Sequence, residues 1–240
     1  MSSPLRYLRG LSQSLKKLSP SLHSKVLNVA NRSSELFMLK ITDKGKGNKI
    51  DYSSVLFKTV KVRFSGNNNT ITLGKNAKLL NVTIHVKGSG HKLLIGENCI
   101  IQNSKLWFED DNSLIAIGAG TDMRGAAIAV TEPSGSITIG DGCLFAAGLD
   151  IRNGDSHSIL DKTTGKRINY ASDISIADRV WIGRDVSILK GASVSSESVI
   201  GTRSLVPGKQ YPANVLIAGI PAKVVKENIT WDAKRIYDNI

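Results

Sequence analysis

A 22-residue period constrains this chain more than any other feature of it. Leu73-Gly74, Ile95-Gly96, Ile117-Gly118 and Ile139-Gly140 follow one another at that fixed spacing. Ile71, Leu93, Ile115 and Ile137 each stand two residues before the marked aliphatic, and polar tips such as Gly66-Asn67-Asn68-Asn69 and Gly88-Ser89-Gly90-His91 precede them. A weaker first copy is Gly47-Asn48-Lys49-Ile50. Inside the units an apolar residue recurs at about six positions, as in Ile95 and Ile101, Ile117 and Met123, or Ile139, Phe145 and Ile151. Six is too long for a helical turn and is a multiple of the two-residue strand period. Self-similarity of this kind predicts a stack of β-coils. Ala77, Cys99, Thr121 and Cys143, each four residues after a marker, are the small residues that a tight inward corner accepts. With strands ~4.8 Å apart, Cys99 and Cys143 stand two coils and ~10 Å apart, too far for a disulfide.

The last third reduces the pattern to hexapeptides beginning at Ile176, Ile182, Ile188, Val194, Ile200 and Val206, with Val180, Val186, Ala192, Ser198 and Ser204 fifth. This run resembles the hexapeptide repeat [LIV]-[GAED]-x-x-[STAV]-x of left-handed parallel β-helices. The resemblance implies an all-β fold in which three hexapeptides make one triangular coil, a 22-residue coil carrying four extra residues at one corner. It also carries the left hand, since ordinary crossover sterics favour the right.

Aromatics make up only 5% of the 240 residues and glycines number 22, which suits short strands broken at corners. The formal charge of +12 calls for an acidic partner, but its cations are scattered, without zinc-finger spacing or a recognition-helix pattern, so nucleic acid is not expected. No stretch approaches the ~18 apolar residues of a membrane-spanning helix, and the N-terminus lacks the h-region of a signal peptide. The expectation is a cytoplasmic protein.

After Ile139 the next coil should open near residue 161, yet the repeat resumes at Ile176, leaving 15 residues over. Loops leaving a rigid scaffold are where function concentrates. This one carries His157, the only one of four histidines within it, with Asp155 two residues away. Transfer of an acyl group to an alcohol needs a base to take the hydroxyl proton, and imidazole suits that task near neutral pH. Asp155 is placed to orient the ring. A zinc site shared by His91 and His157 is excluded within one chain, because they occupy one corner three coils, ~14 Å, apart. No metal is expected.

The run Asp150-Ile151-Arg152-Asn153-Gly154-Asp155-Ser156-His157-Ser158-Ile159, followed by Val180-Trp181-Ile182-Gly183, resembles bacterial capsular and lipopolysaccharide O-acetyltransferases, polysialic acid O-acetyltransferases among them. The resemblance implies His157 as general base, Trp181 beside the reacting groups, and Arg152 and Asn153 at the acceptor. It further implies acetyl-CoA as donor, a glycan acceptor that the positive charge suggests is anionic, and a homotrimer with its active site between subunits. The segment Ala218-Gly219-Ile220-Pro221-Ala222-Lys223-Val224-Val225-Lys226 is similar to the end of the galactoside and maltose acetyltransferase branch. On that likeness Gly183, Gly201 and Gly219 leave room for the pantetheine arm, while Arg184, Thr202, Lys223 and Lys226 fall on cofactor contacts. Pro207 stands where the branch often has Thr, and Thr202 where a small Ala is usual.

Leu5, Leu8, Leu11, Leu15 and Leu18 recur at helical spacing among seven cations and one acid in residues 1–40. They predict a basic amphipathic helix that either packs on the β-helix or meets an anionic inner membrane face through residues 1–20. Thr230 reads as the N-cap of a short terminal helix covering the last coil. The expected organisation is a helical extension over 1–44, the β-helix over 45–227 with its loop at 152–174, and a helix over 228–240. An N-acetyltransferase of a nucleotide-linked amino sugar and a non-catalytic β-helix binding module are the alternatives.

Overall fold

Strand after strand alternates inward apolar and outward polar residues, as in Val60–Ser65, where Val60, Val62 and Phe64 are buried and Lys61, Arg63 and Ser65 are exposed. A computed structural model describes residues 38–237, and its strands, numbered β1 to β25 in chain order, form three sheets around one core. Every third strand returns to the same sheet: β1, β4, β7, β10, β13, β16, β19 and β22 make sheet A, the strands that follow each make sheet B, and the next make sheet C. All neighbours are parallel except the final pair, β24 (Leu216–Gly219) and β25 (Ala222–Lys226). The result is a triangular β-solenoid of eight coils.

The 22-residue period is the coil. Leu73 pairs with Ile95, Ile95 with Ile117, and Ile117 with Ile139. Like side chains therefore stack along the axis, as Phe64, Val86, Phe108 and Val130 do inside sheet A. At one corner Ala77, Cys99, Thr121 and Cys143 are buried, and the Cys99 thiol and Thr121 hydroxyl bond carbonyls of the next coil up at 3.0 Å. Burial pushes the Cys143 thiol up to about 11. The turn residues just before this corner adopt positive φ in Asn76, Asn98, Gly120 and Gly142, which Asn and Gly tolerate best.

The corner between sheets A and B carries a polar ladder. Asn69 accepts from the His91 backbone N–H, and His91 Nδ1 accepts from that of Ser113. With Nδ1 accepting, His91 Nε2 carries the proton and faces the carbonyls of Lys87 and Asp110, each at 3.0 Å. The ring is thus a structural rung over Phe108. Phe108→Ala would leave a cavity in the middle of the stack, and unfolding by denaturant is expected to show a loss of about 3–5 kcal/mol.

Two expectations about the ends change. The solenoid already includes β1 (Leu39–Asp43), paired with β4 (Val60–Ser65), inside the segment assigned to the N-terminal extension. The predicted helix over Leu5 to Leu18 falls outside the described residues. The C-terminal helix is contradicted for residues 228–237, which contain no helix. Thr230 gives its hydroxyl to Glu197 at 3.0 Å instead of capping a helix, and Ile229 exchanges backbone and side-chain bonds with Asn214. β25, folded back on β24, closes the last coil, with buried Tyr211 bonding the Ala222 carbonyl. Among the described residues no helix is long and apolar enough to cross a membrane.

Candidate active site

The loop leaves at the A–B corner, between β16 (Leu149–Arg152) and β17 (Ile174–Ile176). Register locates the insertion, since Ile139 pairs with Ile176 across 37 residues in place of 22. Its two limbs run antiparallel, bridged at Leu160 and Arg167, and Asp161 closes the tip by accepting from the Thr163 and Thr164 backbones and the Thr164 hydroxyl.

Asn169, largely buried, staples this loop. Its Oδ1 accepts from Ile159 N–H at 2.7 Å, and its Nδ2 donates to the His157 carbonyl and to Asp155 Oδ2, both at 2.8 Å. Lys190, on the next coil, donates to Asp155 at 2.5 Å and to the Asn169 carbonyl at 3.0 Å. Glu132 holds the far limb through Arg167 and the Ala171 N–H. Ser156 reaches Glu109 at 3.4 Å. The backbone at His157 is thereby fixed, while its exposed ring has no hydrogen-bond or ionic partner among the described residues.

The expected orienting role of Asp155 is not what the structure shows. Its carboxylate serves Lys190 and Asn169, and these hydrogen bonds hold it below the usual carboxylate range. A lowered carboxyl keeps its tether above the ordinary titration range and gives it up only as pH falls through the lowered value. Asn153, expected at the acceptor, is fully buried, with Oδ1 accepting from Thr131 N–H at 2.7 Å and Nδ2 unpartnered among the described residues. It closes the corner. Arg152 stays exposed at the foot of the loop, paired with Asp150 at 2.8 Å.

Trp181 begins β18 (Trp181–Ile182) on the outside of sheet C and is 40% exposed. Sheet C lies opposite the A–B corner, so His157 and Trp181 sit on different sides of the triangular section. Trp231 packs 6.2 Å from the Trp181 ring, anchored by its Nε1–H on the Arg179 carbonyl at 2.7 Å and by the Arg179 guanidinium over its face.

One position further along sheet C, Gly183, Gly201 and Ala218 stack, and Lys223 stands beside Ala218 on β25. This bare strip runs ~14 Å over three strand spacings and ends at a cation. A Cβ on Gly183 would meet the Thr202 backbone N at 2.7 Å. Thr202 is exposed beside the strip, and Arg184 and Arg203 flank Asp185 at 3.6 and 3.9 Å. Gly219 lies outside the strip, since its φ of 108° turns the chain from β24 into β25. Lys226 is exposed opposite Leu216.

No protein-family model matches the chain. A polysialic acid O-acetyltransferase of Neisseria meningitidis is 35% identical over 200 residues, 83% of this chain and 92% of the relative. The chain belongs to the hexapeptide-repeat O-acetyltransferase family that includes the polysialic acid O-acetyltransferases. The crystal structure of the polysialic acid O-acetyltransferase OatWY superposes with a TM-score of 0.78 at 34% identity, covering 85% of this chain and 94% of that one. A galactoside O-acetyltransferase of Escherichia coli K12 shares 35% identity over 92 residues, 38% of this chain and 44% of its own.

Three residues around this O-acetyltransferase's candidate site are not among those the sequence points to. Lys190 was within reach of the repeat: Ile151 pairs with Ile188, so two residues on Asn153 and Lys190 share a corner. Asn169 gave no such signal, because its partners exist only once the loop has folded on itself. Trp231 lies in the segment where the sequence predicts a helix.

Proposed function

We propose that this enzyme transfers the acetyl group of acetyl-CoA to a hydroxyl of a polysialic-acid-type capsular glycan, as a left-handed β-helix trimer with His157 as general base. The observation that carries the reading is His157 itself: an unpaired imidazole held out on a stapled loop, in a chain related over most of its length to polysialic acid O-acetyltransferases. The left hand is supported by the six consecutive hexapeptides and the likeness to a polysialic acid O-acetyltransferase structure.

In this reading the acceptor hydroxyl attacks the thioester carbonyl carbon while the His157 imidazole takes its proton. The tetrahedral intermediate collapses, the carbon–sulfur bond breaks, and the imidazolium returns the proton to the departing thiolate. The products are an acetyl ester and free CoA, with no covalent enzyme intermediate. The strip Gly183–Gly201–Ala218 is narrow and bare enough for a pantetheine arm, with Lys223 at its end and Lys226 further along β25 beside Leu216 as point charges for phosphate. Arg184 and Thr202 border it. Because His157 and this strip lie on different sides of one chain, the complete site joins the loop of one subunit to sheet C of the next, with Trp181 as a wall beside the reacting groups. Asp155 acts on the loop, through Lys190 and Asn169, and not on the ring.

Incubation with acetyl-CoA and polysialic acid tests this reading. Thiol release should match the acetyl gained by the polymer, and mild alkali should remove that acetyl. An alkali-stable product on an amino sugar would replace the reading with N-acetyl transfer. Absence of acetyl-CoA binding would leave a binding module.

A further inference from the structure

The outer face of sheet A below the loop plays no part in the transfer just described, and it is built as a cationic track. Lys40, Lys61, Thr83 and Lys105 form one outward column across β1, β4, β7 (Thr83–Lys87) and β10 (Lys105–Phe108). Thr42, Arg63, His85 and Trp107 form the second, which continues through Ala129 to Arg152. Successive rungs are ~4.8 Å apart, so the path from Arg63 to Arg152 is ~19 Å long. On these four strands the only acid is Asp43, at the end of β1; Glu109 follows β10, and Asp150 is already paired with Arg152.

None of Lys40, Lys61, Arg63 and Lys105 has an ion-pair partner among the described residues. Two adjoining depressions open on the face, one lined by Lys40, Thr42, Lys61 and Arg63, the other by Lys44, Arg63 and His85. Above them His85 packs edge-on against Trp107, ring centroids 4.5 Å apart at 77°. Partial burial, then the Arg63 and Lys105 charges, lower the His85 imidazole from its ordinary value, so the column presents a neutral aromatic step between cations. The upper end meets the catalytic loop, where Ser156 touches Glu109 two residues beyond Trp107.

We propose that this face is a docking track for a second stretch of the acceptor, a carboxylated glycan chain, holding several sugar units while one hydroxyl is presented at His157. Regularly spaced cations suit regularly spaced carboxylates. The half-buried indole of Trp107 gives the apolar face of a sugar ring a surface to rest on. The proposal rests on the reading of the chain as a transferase for an anionic glycan.

The test uses the full chain and a Lys61→Ser/Arg63→Ser double variant, whose side chains are exposed and lie away from the loop and the Gly183–Lys223 strip. Kinetics are compared on long polysialic acid and on its short oligomers. The double variant should raise KM for the long polymer about three- to tenfold, the scale expected for losing two exposed ionic contacts, with kcat, KM for acetyl-CoA and short-oligomer kinetics unchanged. An unchanged KM on the long polymer, or equal losses on both acceptors, overturns the track. If the wild type acetylates neither acceptor, the transferase reading fails by itself, and direct titration with the long polymer still decides. Weaker binding by the double variant then supports the track, and equal binding overturns it. Single-stranded DNA that binds as tightly as the glycan, and weakens equally in the variant, overturns the assignment to a glycan.

Discussion

His157→Ala is expected to lower kcat by about 10²- to 10⁴-fold, the range a positioned general base contributes. KM for acetyl-CoA should stay near the wild-type value, because in the proposed mechanism the ring takes the acceptor's proton and is not among the groups that hold the cofactor. The melting temperature should also hold, since the ring makes no hydrogen bond or ion pair among the described residues. Thiol release measured with saturating acetyl-CoA and acceptor, beside a thermal melt, gives all three readouts. Unchanged turnover would remove His157 from the mechanism.

The second large effect is expected from a residue that touches no reacting atom. Asn169→Ala removes the bonds that join the two limbs of the loop at Ile159, His157 and Asp155, each worth about 0.5–1.5 kcal/mol. A drop in kcat of about 100-fold is expected, because general-base catalysis depends on hydrogen-bond reach between base and proton. The distinguishing readout is local: amide exchange should quicken across 154–172 while the coils on either side stay protected. A kcat loss without faster loop exchange would contradict a positioning role for Asn169.

The coils were legible in the sequence because a solenoid repeats its environment. Leu73, Ile95, Ile117 and Ile139 meet the same surroundings at every turn, so one spacing states the strand order and register together. The same regularity exposed the insertion, whose length is a subtraction from the period. What lies inside the loop was hidden, because its contacts are set once and repeated nowhere. Proximity in sequence suggested Asp155 for His157, whereas Lys190, 35 residues away, takes the carboxylate. Asn153 misled for a related reason: a polar side chain at the foot of a loop reads as available for a ligand, yet the corner ladder needs an acceptor for Thr131 N–H and encloses it. At the C-terminus the polar character around Thr230 resembles a helix start, but Glu197 and Arg179 on neighbouring coils supply partners that outweigh the marginal stability of so short a helix. Gly219 matches a motif for cofactor approach, and its positive φ shows that it also serves the turn into β25.

In the proposed mechanism acetyl transfer takes place where the His157 loop of one subunit meets the Gly183–Gly201–Ala218 strip of another. Co-assembly of two inactive chains tests it directly. His157→Ala lacks the base and keeps the strip. Gly201→Leu keeps the base and fills the strip, its Cβ alone reaching 3.1 Å from that of Ala218. Random mixing in equal amounts gives about a quarter of the interfaces a wild-type loop facing a wild-type strip, so the mixture should regain about a quarter of wild-type turnover in a cyclic trimer. A mixture that co-assembles yet remains as inactive as its parents would contradict a shared site and place both halves of the chemistry within one chain.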